Sequence, residues 1–246
     1  MLDFWMRTSG TWINAITIVL GTTVGLVLGE RLPKPMQQII TQGVGLLTLL
    51  IGMGMANSLM GTRAGQLDGV IVGLLAMVIG GLLGEWLGIE DRLEAVGNWL
   101  KRQFRGQGRF TEGFVAASLL FCIGPMAIIG SLNNGITGDN ALLLIKAAMD
   151  GLAAIALTSS YGLGVGFSTL SIVLFQGSLS LAAGSLAQVL PDPASAPPVL
   201  LITGVGGLMI LGLGLNLLDI GKVKVASFLP SLFVVLLIYW LGDRLT

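Results

Sequence analysis

Two charged residues lie one helical turn apart inside an otherwise apolar stretch of this chain. Lys146 and Asp150 fall in the run 140–160, and Asp150 is near its middle. A spacing of four residues puts both side chains on one face of a helix. Burying a charge in a bilayer costs at least about 2.5–3.5 kcal/mol, so such groups usually mark a substrate or proton pathway. We predict that this pair binds a substrate or ion; the alternative is a purely structural ion pair.

Other polar positions extend this candidate site. Gly124 and Pro125 interrupt an apolar segment, and proline removes a backbone donor and clashes with the preceding turn. The carbonyls freed there must bond to protein, water or an ion. Amide side chains complete the predicted set of solute or ion ligands: Gln176, Asn14, Asn57, Asn133, Asn134 and Asn216. The alternative is that these amides only join neighbouring helices.

The composition excludes several classes of protein. Apolar residues make up 54% of the chain and charged residues 11%, against about 25% charged residues in a soluble domain. The net charge is zero, so no basic surface for nucleic acid is expected. Histidine is absent and Cys122 is the single cysteine, which removes the usual metal ligands and general base. We expect no metal, no cofactor and no enzymatic activity.

The hydropathy pattern predicts an all-α, polytopic transmembrane protein that forms one integral membrane domain, 1–246. Spanning a bilayer takes about 20 apolar residues, and a spanning segment must be helical to satisfy its own backbone. About eight segments qualify, with a helix broken at Gly124–Pro125 in the fourth. The segments are Gly10–Gly29, Gln38–Leu59, Leu67–Gly88, Phe114–Leu132, Asn140–Ser160, Gly164–Leu190, Val199–Leu218 and Ala226–Gly242.

The basic residues predict the orientation in the membrane. The loop 89–111 carries five of them and should be cytoplasmic, because Lys and Arg concentrate in cytoplasmic loops. Alternation then places both termini and the loop 191–198 outside. Apolar residues in the 89–111 loop recur on one helical face beside the basic one. This pattern indicates either an amphipathic helix at the membrane interface or a solvated connector that contains a short helix.

Short echoes between the two ends of the chain suggest an internal repeat. Ile18–Leu20 matches 172–174, and Trp86–Gly88 matches 240–242 at the same offset. The first three segments are therefore predicted to repeat as the last three, inverted in the membrane, which is a common plan of secondary transporters. Chance matching in a chain rich in Gly and Leu is the alternative.

Glycines spaced four apart form two small-residue faces. They are Gly21, Gly25 and Gly29 in the first segment and Gly80, Gly84 and Gly88 in the third. Such faces let helices approach closely. Packing within one chain is one interpretation, and a homo-oligomer built through one of these faces is the other.

Several motifs resemble the YqgA-like bacterial membrane proteins. They are G-T-W-I-N-A-I-T-I-V-L-G at Gly10–Gly21, L-G-E-R-L at Leu28–Leu32, the run Phe121–Asp139, and K-A-A-M-D-G at Lys146–Gly151. This resemblance implies a multi-pass protein of the bacterial inner (plasma) membrane, with transport suspected and no assigned substrate. We predict a secondary transporter of a small solute or ion, coupled to Na⁺ or H⁺. An ion channel and a structural or regulatory membrane protein without transport are the alternatives.

Overall fold

The computed structural model describes residues 3–186 and 195–244. Ten α-helices carry the fold within these ranges. They are α1 (Phe4–Arg31), α2 (Lys34–Ala56), α3 (Gly69–Trp86), α4 (Ile89–Gln103), α5 (Phe110–Cys122), α6 (Pro125–Thr137), α7 (Ala141–Tyr161), α8 (Gly164–Leu186), α9 (Pro197–Leu217) and α10 (Ser231–Arg244). Two-residue strands β1 (Arg63–Ala64) and β2 (Leu67–Asp68) pair antiparallel, and 3-10 turns occupy Asn57–Leu59 and Val225–Phe228.

The count of membrane-spanning segments agrees with the sequence-based prediction. Among the described residues, seven helices are long and apolar enough to cross a membrane, and an eighth span is obtained if α5 and α6 count as one. The all-α, polytopic fold is therefore confirmed. The predicted end of the sixth segment at Leu190 and most of the predicted outer loop 191–198 lie outside the described residues.

The predicted break in the fourth segment is confirmed. Helix α5 ends at Cys122, α6 begins at Pro125, and the two axes differ by 61°. Proline suits the first position of a helix, where its missing N–H would have no partner anyway. The carbonyl of Gly124 then accepts from Ala127 N at 3.1 Å and starts α6.

The chain divides into two compact units, which we describe separately. Unit 1 comprises Met1–Val44 and Glu94–Pro191, and unit 2 comprises Gly45–Leu93 and Asp192–Thr246. Each unit is built from apolar helices. The prediction of one integral membrane domain for the whole chain stays a prediction.

In unit 1, α1 packs along α7 through a glycine seam. A side chain on Gly21 would collide with the carbonyl of Gly151, and one on Gly25 would lie 2.6 Å from the carbonyl of Ile155. Because contacts progress in the same direction along both helices, α1 and α7 run parallel. Helix α8 is antiparallel to α1. Asn14 near the start of α1 contacts Gln176, whereas Thr22 further along α1 contacts Gly166 near the start of α8.

In unit 2, the second glycine face is used in the same way. Gly80 and Gly84 of α3 lie against the backbones of Ser231 and Ser227. A buried cluster fills the space between α3, α9 and α10: Leu59, Ala64, Val72, Ala76, Leu201, Val205 and Val235. Gly88, the third predicted member of this face, lies beyond the end of α3 in a turn. The other predicted glycines pack within the chain, and a homo-oligomer stays a prediction.

The part of α4 in unit 1 is an amphipathic helix whose inner side packs on α5. Gly97 lies against Thr111 and Phe114, and Leu100 is buried. Trp99 on the other side is 55% exposed. The predicted helix in the 89–111 loop is therefore present, which both interpretations of that loop require.

The helices that carry the sequence echoes are antiparallel neighbours. They pair as α1 with α8, α2 with α9, and α3 with α10. Contacts joining the pairs are Thr22 with Gly166, Leu49 with Gly214, and Gly80 with Ser231. An inverted repeat would place equivalent helices in opposite directions, so this arrangement is compatible with one. The inverted repeat itself stays a prediction.

Candidate functional site

The two charged residues of α7 form a buried ion pair. The Lys146 ammonium bonds to Asp150 Oδ2 one turn further along the helix. Only 8% of the lysine side chain and 11% of the aspartate side chain are exposed. Such a pair pays a large desolvation penalty, which the mutual attraction offsets only with good geometry and further hydrogen bonds.

Asn14 of α1 supplies one of those further bonds. Its Nδ2 donates to Asp150 Oδ2 at 2.9 Å and lies 3.4 Å from Gln176 Oε1 on α8. Both amide residues are fully buried. The predicted residues Asp150, Lys146, Asn14 and Gln176 therefore form one polar network that joins three helices of unit 1.

This network is incompletely satisfied. Asn14 Oδ1 and Gln176 Nε2 are buried and have no hydrogen-bond partner among the described residues. Five buried hydroxyls of the same unit share this property: Thr11, Thr22, Ser131, Thr158 and Ser180. Leaving a buried polar group unpaired costs about 1–3 kcal/mol. In native proteins such groups are explained by water, an ion, strain or a functional role.

The break between α5 and α6 lies at the same depth in unit 1 as Gln176 of the polar network. Ser118 of α5 is 2.9 Å from Ser171 of α8, and the two helices run in the same direction. Cys122, one turn beyond Ser118, is thus level with Gln176, which lies five residues beyond Ser171. The Cys122 thiol is within electrostatic reach of both charges of the ion pair.

Gly124 and Pro125 give this break its chemical character. Pro125 cannot donate to the carbonyl of Phe121, which would be its partner in a continuous helix. Within residues 3–186 and 195–244, no atom beyond the chain neighbours of Gly124 lies within 4 Å of the position that a Cβ on this residue would take. The end of α5 therefore presents backbone carbonyls beside an open position.

Asn134, another predicted site residue, makes hydrogen bonds that join α6 to α1. Its Oδ1 accepts from Gly10 N at 3.0 Å, while its Nδ2 donates to the Met6 carbonyl and to Ser9 Oγ, both at 3.0 Å. The amide thus bridges two backbone groups of α1 that are spaced as helix partners. Its hydrogen bonds fasten α6 to the start of α1. Asn133 beside it is half-buried, and its carbonyl accepts from Thr137.

Two predicted site residues belong to unit 2. Asn57 is exposed in a 3-10 turn. Asn216 donates to the Val223 carbonyl at 2.7 Å and accepts from Val223 N at 2.8 Å, so its amide closes the turn after α9. The network around Asp150 belongs to unit 1.

Sequence reasoning missed two features of this region. Arg7 donates from Nε to the Gly135 carbonyl at 3.1 Å and from Nη2 to the Leu181 carbonyl at 2.8 Å. The buried hydroxyls were missed as well, although Thr11, Asn14 and Thr22 recur on one face of α1. That spacing was the available signal, because an apolar helix rarely places polar groups on its packed face.

Comparison with known proteins assigns the family. A family model described as "Protein of unknown function (DUF554)" matches residues 9–240. The chain belongs to this family. Its relatives include the "Uncharacterized membrane protein YdfK" of Bacillus subtilis, 31% identical over 225 residues, with 92% of this chain and 93% of the relative covered. The "Uncharacterized protein YqgA" of Escherichia coli is 28% identical over 232 residues, again with 92% and 93% covered. No solved structure matches the chain.

The predicted resemblance is therefore confirmed over nearly the whole length. One relative is named as a membrane protein, in agreement with the membrane-length helices seen here. The names of both relatives leave open what members of the family bind or carry.

Proposed function

We propose that this protein is a secondary transporter of a small solute or ion across the bacterial inner (plasma) membrane, in which it is a multi-pass protein. One observation carries the proposal. The buried pair of Lys146 and Asp150 is hydrogen-bonded through Asn14 to Gln176, and both amides have an unpaired polar atom. The network lies at the depth where the span formed by α5 and α6 is broken. Intramembrane charges are functional by default, and broken helices at mid-depth recur at transporter binding sites.

Asp150 is the centre of the proposed site, and Lys146 is its exchangeable partner. A proton or Na⁺ arriving at Asp150 weakens its hold on Lys146, whereas an anionic solute competes for Lys146 instead. Either event leaves one charge without its partner. Because an unpaired buried charge is costly, it favours a second conformation in which that charge is solvated or paired again.

Neighbouring groups complete the binding shell in this proposal. Gln176 Nε2 offers a free donor and Asn14 Oδ1 a free acceptor. The carbonyls at the end of α5, beside Gly124 and Pro125, offer ligands for a cation. The arrangement suits a small species that presents both a donor and an acceptor, or a desolvated cation.

Two alternatives lead to different measurements. An ion channel would use the same polar groups along a continuous pore. A structural or regulatory membrane protein would use them only to join helices, as Asn134 and Asn216 do. We do not propose an enzyme, because the chain has no histidine and Cys122 is its only obvious nucleophile.

Flux through proteoliposomes separates these alternatives. The full chain is reconstituted with a pH-sensitive dye inside, and Na⁺ or H⁺ gradients are imposed with panels of amino acids, organic acids and inorganic ions outside. Saturable uptake that depends on the gradient supports the transporter. Non-saturating flux down a gradient indicates a channel, and no flux under any condition overturns the proposal in favour of a structural protein.

A further inference from the structure

An apolar groove runs along the outer surface of unit 1 between α1 and α8. It consists of two adjoining cavities of about 480 and 590 Å³. Val19, Thr169 and Leu170 line both cavities, so the two cavities form one continuous surface groove. We call this surface the α1–α8 groove.

The groove has the length of a lipid chain. Its lining on α1 extends from Trp12 to Leu26, which corresponds to about 21 Å at the rise of an α-helix. The hydrocarbon of one leaflet is about 15 Å deep, half of a core of about 30 Å. An acyl chain lying along the groove would therefore be covered over its whole leaflet depth.

One end of the groove is closed by α4 and the residues that follow it. Trp99 and Phe104 line this end. Arg102 lies one turn from Trp99 on the same side of the helix, and Arg105 directly follows Phe104. Both arginines are exposed. The groove thus passes from apolar walls to a basic rim.

Arg102 and Arg105 differ from the neighbouring basic residues, because those neighbours already bond to groups of the protein. Lys101 donates to the Gly108 carbonyl at 2.7 Å, and Arg109 pairs with Glu112 and stacks over Tyr161. Neither Arg102 nor Arg105 makes an ion pair or side-chain hydrogen bond within residues 3–186 and 195–244. A ligand for this rim should be anionic.

We propose that the α1–α8 groove binds one anionic phospholipid, with an acyl chain between α1 and α8 and its phosphate at Arg102 and Arg105. Charge complementarity favours this occupant, because a phosphate offers an anion to both exposed guanidinium groups, whereas an apolar helix of a second copy offers none. The amphipathic form of α4 suits the same location, at the boundary between acyl chains and head groups.

Competition between two lipids tests the proposal. The purified chain is offered equal amounts of phosphatidylglycerol and phosphatidylcholine with identical acyl chains, and bound lipid is counted by native mass spectrometry. Each basic residue near an anionic lipid contributes enough to raise the preference about fivefold, so we expect about a 30-fold preference for phosphatidylglycerol. Arg102→Gln with Arg105→Gln should reduce this ratio to near one.

Matched variants isolate the two parts of the site. Arg63→Gln with Lys222→Gln removes two exposed charges from unit 2 and should keep the preference, as should Arg102→Lys with Arg105→Lys. Leu170→Trp fills the groove and should reduce binding of both lipids. The proposal is overturned if the parent shows no preference, or if the double glutamine variant keeps it. Displacement of the lipid by inorganic phosphate alone, or a dimer that Leu170→Trp dissociates, would also overturn it.

Discussion

Two ion pairs in this protein have the same chemistry and opposite surroundings. In unit 1, Lys146 and Asp150 pair with side chains only 8% and 11% exposed. In unit 2, Lys224 and Glu85 pair with side chains 57% and 56% exposed. Each carboxylate accepts one further bond, from Asn14 to Asp150 at 2.9 Å and from Ser227 to Glu85 at 3.2 Å.

This difference shows that burial decides how strongly each ion pair affects stability. Water and salt screen the exposed pair, so its net contribution to folding is small. The buried pair has lost its hydration, and its members depend on each other and on Asn14. Removing one member there leaves a charge with no substitute partner. In the proposed mechanism the pair in unit 1 responds to an arriving ion, whereas the pair in unit 2 joins Lys224 to the end of α3.

The largest expected effect concerns flux. Asp150→Asn keeps the size of the side chain and removes the charge that the proposed mechanism needs. We expect coupled flux in proteoliposomes to fall to background, while Glu85→Gln leaves it at the parental rate. Equal flux in both variants would show that the buried carboxylate takes no part in transport.

The second expected effect concerns stability. Lys146→Met leaves the Asp150 carboxylate buried without its cation, so we expect a loss of about 3–5 kcal/mol in the free energy of unfolding in detergent. The matched change Lys224→Met should have a much smaller effect. Unfolding curves followed by circular dichroism give both values.

The double variant Asp150→Asn with Lys146→Met separates function from structure. Both charges are gone, so stability should return toward that of the parent while coupled flux remains absent. If the double variant is stable and also transports as well as the parent, the pair is only structural and the site assignment is wrong.

A smaller effect is expected at the amide of α1. Asn14→Ala removes the hydrogen bond to Asp150 and the contact with Gln176, and a bond to a charged group is worth about 1.5–3 kcal/mol. Thermal unfolding should show this loss, with Asn57→Ala as the control because Asn57 is exposed. Identical melting temperatures for the two variants would contradict the network.

The smallest effect is expected for the exposed pair, and it should depend on pH. The hydrogen bond and charge of Glu85 raise the pKa of Lys224 above its ordinary value of 10.5. Its contribution is therefore present below pH 10.5 and is lost as the pH rises through the raised pKa. Lys224→Gln should lower stability slightly at neutral pH and low salt, and the difference should vanish at high pH or high salt. A difference that persists under both conditions would contradict this account.

Local signals in the sequence predicted much of this structure. The break at Gly124–Pro125 follows from the chemistry of proline, and the pairing of Lys146 with Asp150 follows from helical spacing. The apolar segments follow from the length that a bilayer requires. All three depend on residues close together in the chain.

Long-range packing decided what the sequence did not reveal. The bond from Asn14 to Asp150 joins residues 136 positions apart. The polar face of α1 marks Asn14 as packed, but no local pattern identifies Asp150 as its partner, or Gly10 as the partner of Asn134. Asn14 and Asn134 both lie in apolar segments, and only the fold assigns their partners.

That separation also sets an order of events during biosynthesis. At about 5–20 residues per second, roughly 7–27 s pass between synthesis of Asn14 and synthesis of Asp150. Throughout this interval Asn14 of α1 lacks Asp150, and its second partner, Gln176, is made later still. The nascent helix must therefore stay beside the insertion machinery or other early helices until α7 and α8 arrive, and unit 1 can close only when its last helix has entered the membrane.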